Sequence, residues 1–290
     1  MDRIKFVKFF VIYFFLLMLP ANLGLAKEYI NNEQIMNDIQ KYTEEVTRIP
    51  TDYISYNSRG VAYSKLNKNV NAINDFTISI QINPNYADAY FNRGVEYSKV
   101  NEFLLAINDF NKVIELDFKD FEAYNNRGVN YHKLHQDIEA INDFNVAIQI
   151  NPNYAEAYFN RGRVYAELMK YYDAIEDFNK AIQLSPNYAN GYYDRGLTYS
   201  KIAKYNEAID DFTKAIHLNS GYIEAYFTRG LVYSMILDYP KSIGDFNKVI
   251  QLNPNDGKAY HVRGIIYMYI GNYTQGEKDL VKAKELGYHE

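Results

Sequence analysis

Histidine side chains are the first candidates for chemistry in this sequence. His132 and His135 lie three residues apart at the predicted edge between a helix and a turn, where two imidazoles could contact one metal ion. Nothing nearby completes a metal shell, and the chain contains no Cys. We therefore interpret both as surface histidines. Because no nucleophile–base pattern occurs either, the sequence predicts neither an enzyme nor a cofactor.

A second set of chemical groups recurs at a fixed spacing. An Arg-Gly pair appears every 34 residues from Arg59 to Arg263, and an Asp lies sixteen residues after each Arg. Six such intervals without an insertion predict stacked copies of one supersecondary unit. When residue 53 is taken as repeat position 1, Arg occupies position 7, Gly position 8 and Asp position 23.

Each repeat is predicted to be a pair of helices. Tyr at positions 4 and 11 and Gly at position 8 share one helix face, while position 20 (mostly Ala) and position 24 (mostly Phe) share a face of the next helix. Gly costs a helix about 1 kcal/mol relative to Ala, so its recurrence indicates close approach of the second helix. The fold class is therefore all-α, with seven stacked helical hairpins at 53–86, 87–120, 121–154, 155–188, 189–222, 223–256 and 257–290.

This pattern resembles the tetratricopeptide repeat, which has an aromatic residue, Gly, Tyr, Ala, Phe and Pro at these offsets. Pro84, Pro152, Pro186 and Pro254 share position 32, whereas Tyr replaces the family's Trp and Arg replaces its Leu before the Gly. The resemblance covers residues 53–290 and implies a superhelical solenoid that binds a protein or peptide in a groove lined by first helices. The family's carboxylate clamp for chaperone C-termini, with Lys at position 5, is absent.

Residues 1–26 have the layout of a secretory signal peptide. A basic start is followed by an apolar run from Phe9 to Leu19 and by small residues that end at Ala26. We predict cleavage after Ala26 and an exported protein, secreted or periplasmic. The alternative is an uncleaved membrane anchor with the repeats outside the cytosol, although the uncharged span from Phe9 to Ala26 is marginal for a spanning helix.

Residues 27–52 are predicted to form an N-terminal capping helix. Continuing the repeat numbering backwards places Ile39 at position 21 and Val46 at position 28, where six repeats carry Ile. The segment would therefore cover the first hairpin as a lone second helix. In the last repeat the same positions hold Glu277 and Lys284, the polar outer face that a terminal repeat needs for solubility. We expect a monomer that is capped at both ends.

The recurring arginines allow two interpretations. They could form a basic ladder that binds a ligand, or they could pair with the position-23 aspartates between the two helices of each repeat. Structural pairing is favoured, because position 7 lies away from the groove face and partly buried guanidiniums need carboxylate partners. The residues concerned include Arg93, Arg127, Arg161, Arg195, Asp109, Asp143, Asp177 and Asp211.

The groove face is predicted from positions 2, 5, 6, 9, 12 and 13 of the first helices. Asn recurs at position 6, where it is a poor helix former, and its amide can both donate to and accept from a peptide backbone. Either this row binds an extended ligand, resembling the asparagine ladder of O-linked N-acetylglucosamine transferases, or it lies idle in water. Aromatic residues at position 5 are expected to add apolar contacts. The predicted groove residues are Asn92, Asn126, Asn160, Asp194, Phe91, Phe159, Tyr193, Phe227 and Arg163.

Composition restricts the class of partner. The formal net charge is −5 and the isoelectric point is about 5.6, so no basic footprint for nucleic acid is present. The leading prediction is an exported scaffold that binds an extended protein segment, with no membrane contact after signal cleavage. The alternative is a structural or assembly protein of the cell envelope, anchored through an uncleaved N-terminal segment.

Overall fold

The computed structural model describes residues 23–289, with side chains described from residue 31 on, and every regular element in this range is an α-helix. The chain folds as two compact units, one ending at Gln136 and the other beginning at Asp137. The first unit contains α1 (Leu23–Arg48), α2 (Tyr53–Lys65), α3 (Asn69–Ile82), α4 (Ala87–Lys99), α5 (Phe103–Leu116) and α6 (Phe121–Lys133).

The second unit continues the same alternation of short helices. It contains α7 (Asp137–Ile150), α8 (Ala155–Glu167), α9 (Tyr171–Leu184), α10 (Ala189–Lys201), α11 (Tyr205–Leu218), α12 (Ile223–Met235), α13 (Tyr239–Leu252), α14 (Gly257–Tyr269) and α15 (Tyr273–Glu285). From α2 on, even-numbered helices are the first helices of the repeats and odd-numbered ones are the second helices. The predicted all-α fold of helical hairpins with an N-terminal capping helix is confirmed.

The core of each hairpin forms where a Phe of the second helix meets a Gly of the first. The Phe side chains at position 24, such as Phe76 and Phe212, are fully buried. A Cβ atom added at Gly60 would lie 2.6 Å from Phe76 Cε1, and one at Gly196 would lie 2.9 Å from Phe212 Cε1. Only a residue without a side chain lets the ring lie this close to the helix backbone. The close approach predicted from the recurring Gly is therefore confirmed.

Short connections hold the helices antiparallel. The turn from first to second helix contains one residue with a positive φ, from 54° at Asn67 to 82° at Gly271. Most turns from second to first helix are closed by a side chain; in the first of them, Asn83 Oδ1 accepts a hydrogen bond from the Asn85 N–H at 3.1 Å. Such local hydrogen bonds compete with continued helix, so they fix where the second helices end.

Helix α1 covers the first hairpin of the first unit. Ile35, Ile39 and Val46 are buried, and Ile39 belongs to an apolar cluster with Ala62 of α2. The Ser55 hydroxyl of α2 donates a hydrogen bond to Glu45 of α1 at 2.8 Å. At the other end of the chain, Glu277 and Lys284 are exposed on α15, where no further helix follows among the described residues.

The predicted signal segment falls largely outside the described residues. Only its last four residues, 23–26, are described, and they form the beginning of α1. Within residues 23–289, the helices are too short or too polar to span a membrane.

The Gly–Phe contact gives a direct test of the core. We expect Gly196→Ala to lower the melting temperature, because the added methyl group meets Phe212 at 2.9 Å and the Ala208 carbonyl oxygen at 3.2 Å. Overpacking typically costs about 1–3 kcal/mol, which exceeds the roughly 1 kcal/mol that Ala gains over Gly in a helix.

The matched control for this substitution is Gly244→Ala in α13. A Cβ atom at Gly244 meets nothing within 4 Å, so only the gain in helix propensity remains. Thermal melting followed by circular dichroism should show opposite shifts for the two variants. Equal shifts would contradict a steric role for the position-8 Gly.

Candidate ligand-binding face

The position-7 arginines bind the second helix of their own repeat. Arg93 contacts Asp109 through two hydrogen bonds, Nη2 to Oδ1 at 2.7 Å and Nε to Oδ2 at 2.8 Å, and Arg161 contacts Asp177 in the same way. Such paired contacts are the strong form of the ion pair. The structure repeats this geometry in Arg59–Asp75, Arg195–Asp211, Arg229–Asp245 and Arg263–Asp279.

The third guanidinium nitrogen reaches the preceding second helix. Arg195 Nη1 donates to Asn179 Oδ1 at 2.6 Å, and Arg93 Nη1 donates to Thr77 Oγ1 at 3.1 Å. In the first hairpin the acceptor is Thr43 of α1, at 3.3 Å from Arg59 Nη1. This contact was not predicted from the sequence, although position 25 is Thr or Asn in the first six repeats. Arg127 of α6 donates a hydrogen bond to Asn111, and Asp143 is buried on α7.

Two tyrosines enclose the guanidinium of Arg161 and help to bury it. The guanidinium carbon of Arg161 lies 5.7 Å from the centroid of the Tyr158 ring and 5.8 Å from that of Tyr165, which is the range of a cation–π contact. Burial raises the pKa of Asp177 above its ordinary value, even though the hydrogen bonds from Arg161 act in the opposite direction. These contacts leave the arginines little access to a ligand, so their role lies in the fold.

The first helices also contact one another along a different surface. Within the first unit α2 contacts α4 and α4 contacts α6, while within the second unit α8 contacts α10 and α10 contacts α12. We call the surface formed by repeat positions 2, 5, 6, 9, 12 and 13 of these helices the first-helix face. Each unit has its own portion of this face.

The position-6 amides are already engaged within the protein. Asn92 Nδ2 donates to Oδ1 of Asn57, the position-5 residue of the preceding repeat, at 3.1 Å. Asn126 has Phe91 at that place, which offers no acceptor, and its Nδ2 donates instead to the Glu122 carbonyl at 2.8 Å. The side-chain oxygens of Asn92 and Asn126 accept no hydrogen bond from the described residues, and Asn160 is half-buried on α8. The row therefore presents mainly acceptors.

The position-5 aromatic residues pack against the core, which corrects the expectation of apolar ligand contacts at Phe159. The side chain of Phe159 is 6% exposed and lies 5.8 Å from Phe178, measured between ring centroids. Position 5 is one helical turn before the Gly at position 8, so its ring meets the position-24 Phe. The other predicted rings are half-buried and also contact a position-24 Phe. Phe91 lies against Phe110, Tyr193 against Phe212 and Phe227 against Phe246.

A cavity of about 390 Å³ opens on the first-helix face between α8 and α10. Arg163 and Asp194, both predicted groove residues, line it together, with Arg163 Nε 3.8 Å from Asp194 Oδ2. Burial raises the pKa of Asp194 to about 6, and the positive charge of Arg163 offsets only part of this effect. The cavity is within the size range of ligand pockets.

A buried polar network on α4 escaped the sequence analysis. Glu96, at repeat position 10, is 1% exposed, and its Oε1 accepts hydrogen bonds from the Ser64 hydroxyl and the Lys99 ammonium group. Ser98 similarly donates to Asn130, the position-10 residue of α6, at 2.9 Å. The available signal was a polar residue at a position that carries Ala, Val or Ile in four repeats.

Family models match several segments of the repeat region. A family model described as "Tetratricopeptide repeat" matches residues 155–188 and 189–222, and another of the same description matches residues 87–120. A model described as "TPR repeat" matches residues 136–169. No curated protein matches the chain.

Solved structures agree in fold. MamA is 29% identical over 55% of this chain and 94% of its own, with a TM-score of 0.54. YrrB, whose title calls it a TPR protein with an unusual peptide-binding site, is 24% identical over 65% of this chain and 97% of its own, with a TM-score of 0.54. A tetratricopeptide repeat protein from Parabacteroides merdae is 20% identical over 82% of this chain and 94% of its own, with a TM-score of 0.61.

A solenoid of helical hairpins with an open first-helix face is an interaction scaffold, of the kind that contacts proteins or peptides. Residues 87–120 and 136–222 match tetratricopeptide repeats, and the described part of the chain has the fold of tetratricopeptide-repeat proteins.

Two neighbouring arginines of α8 test whether the position-7 arginines stabilise the fold while those of the first-helix face do not. We expect Arg161→Ala to destabilise the fold by roughly 3–5 kcal/mol, because Asp177 would be left buried without its cation. Arg163→Ala is the matched control: its side chain is 47% exposed, so the change should be about 0.5 kcal/mol or less. Urea unfolding of both variants measures the difference, and equal stabilities would contradict a structural ladder.

Proposed function

We propose that this protein is an exported scaffold that binds an extended protein segment along its first-helix face. The observation that carries the proposal is the row of position-6 side chains, in which Asn92 and Asn126 present unoccupied amide oxygens on adjacent first helices of the first unit. An extended segment offers a backbone N–H at each residue other than Pro, and these donors match such acceptors.

The mode of binding follows from the free amide oxygens of Asn92 and Asn126. These oxygens would accept hydrogen bonds from backbone N–H groups of the ligand and not from its side chains. The row of position-6 side chains therefore tolerates ligands of many sequences. Selectivity then depends on the residues beside it, such as the cavity that contains Arg163 and Asp194. The core position of the Phe159 ring excludes it as a main source of selectivity.

We expect the triple variant Asn92→Ala, Asn126→Ala, Asn160→Ala to bind peptide more weakly. The probe is a short peptide selected from a displayed random library on the full chain. Each lost hydrogen bond should reduce the free energy of binding by about 0.5–1.5 kcal/mol. Fluorescence anisotropy with the labelled peptide measures the change.

A matched triple variant provides the control for this experiment. Asn74, Asn108 and Asn142 share repeat position 22 on exposed faces of second helices, so Asn74→Ala, Asn108→Ala, Asn142→Ala makes the same chemical change away from the face. Melting temperatures are recorded for both variants, since Asn92→Ala also removes a donor to the buried Asn57. Unchanged affinity in a folded groove variant would contradict the proposal.

The exported location rests on the sequence of residues 1–26. We expect secreted or periplasmic protein to begin at Lys27, because small residues precede that point after an apolar run. N-terminal sequencing of the exported protein measures the start directly. Recovery of the protein with Met1 in a membrane fraction would favour the anchored alternative.

A further inference from the structure

The cavity between α8 and α10 has mixed chemistry. Its walls combine the apolar side chains of Ala166, Leu197 and Phe178 with charged and polar groups. The polar lining residues are Arg163, Glu167, Tyr171, Asp194, Thr198 and Lys201. Apolar walls with a few convergent polar groups are typical of a site that takes one side chain or small ligand.

Asp194 is the one position-6 residue of the second unit with a carboxylate, and that group lacks a hydrogen-bond donor among the described residues. The structure explains why. Where position 5 of the preceding repeat is polar, the position-6 side chain can form a hydrogen bond to it. Asn92 bonds to Asn57 in this way, and Thr228 bonds to Tyr193. For Asp194, position 5 of the preceding repeat is Phe159, whose side chain has no polar atom.

The surroundings of Asp194 do not replace the missing donor. Arg163 Nε on α8 stays 3.8 Å away, beyond hydrogen-bond distance, and its side chain is about half exposed. Lys201 of α10 and Glu167 of α8 lie at the cavity wall. Burial chiefly raises the pKa of Tyr222, which precedes α12, and the charges of Asp194 and Glu224 act in the same direction. Burial also raises the pKa of Tyr188, which precedes α10, and the charge of Asp194 adds to this effect.

We infer that this cavity binds a basic side chain, Lys or Arg, of the extended segment, with Asp194 as the carboxylate that accepts its hydrogen bonds. The inference rests on the proposed function and names the specificity of one subsite. A cation compensates a desolvated carboxylate, whereas an acidic side chain would add a second negative charge beside it. Exposed carboxylates at position 2, Glu156 and Glu224, give the neighbouring surface the same sign.

Arg163 takes a second role in this arrangement. Because it holds Asp194 only by charge, it can turn outward when a ligand cation enters. Its guanidinium is then available to the carbonyl oxygens of the bound segment.

The test selects displayed random peptides on the immobilised full chain at about pH 7.5. Wild type is compared with Asp194→Asn, which keeps the shape, and with Asp210→Asn, an exposed control on α11. We expect a fixed Lys or Arg in peptides selected by wild type and by the control, and none in those selected by Asp194→Asn. Removing a desolvated charge should not lower the melting temperature of this variant.

Wild-type protein alone gives a second measurement. Since protons compete with the ligand cation for a carboxylate of pKa about 6, affinity for the selected peptide should fall about tenfold from pH 7.5 to pH 5. Replacing the basic residue of the peptide by norleucine should remove both the affinity and its pH dependence.

The outcomes separate this inference from the proposed function. Selected peptides without a fixed basic residue, peptides with a fixed acidic residue, or affinity that does not change between the two pH values would overturn the inference while the scaffold function stands. If no protein selects any peptide, the proposed function fails and the inference fails with it.

Discussion

The three-way contact of the position-7 arginine is the interaction on which the rest of the structure depends. Within each unit, a position-7 guanidinium such as that of Arg195 joins its own first helix to the Asp of its second helix and, through Nη1, to Thr or Asn of the preceding second helix. One side chain therefore closes a hairpin and ties it to its neighbour. Even α1 takes part, because Thr43 occupies the place of the missing repeat. A charge so deeply enclosed requires its partner, since an unpaired buried carboxylate is costly.

The Gly–Phe contact and the arginine contact act on the same pair of helices. Gly at position 8 admits the Phe ring, and the Asp at position 23, adjacent to that Phe in sequence, then meets the Arg adjacent to the Gly. The apolar contact and the ion pair thus fix the same register. This coupling explains why the Arg-Gly and Asp-aromatic or Asp-Leu pairs keep their spacing through seven repeats. It also leaves positions 2, 5, 6, 9 and 13 free to vary.

Variation at those positions produces the local chemistry of the first-helix face. A position-6 side chain reaches a hydrogen-bond partner on the preceding first helix where position 5 of that repeat is polar. Asn57 satisfies Asn92, whereas Phe91 and Phe159 leave Asn126 and Asp194 to other contacts. The result is an unbonded amide oxygen in one unit and a desolvated carboxylate in the other. The hydrogen-bonding groups that this face presents therefore depend on pairs of residues that lie about one repeat apart.

The sequence by itself determined the helical hairpins, because a period of 34 residues with Gly, Tyr and Phe at fixed positions admits one kind of packing. It also indicated that Arg and Asp belong together, since buried charges need partners. The tertiary structure alone decided which way the position-5 rings point, and it sent Phe159 into the core because the Gly at position 8 leaves the position-24 Phe within reach. It alone decided the raised pKa of Asp194. The pKa of a carboxylate depends on burial and on hydrogen-bond donors from other helices, and the repeat pattern of the sequence contains neither.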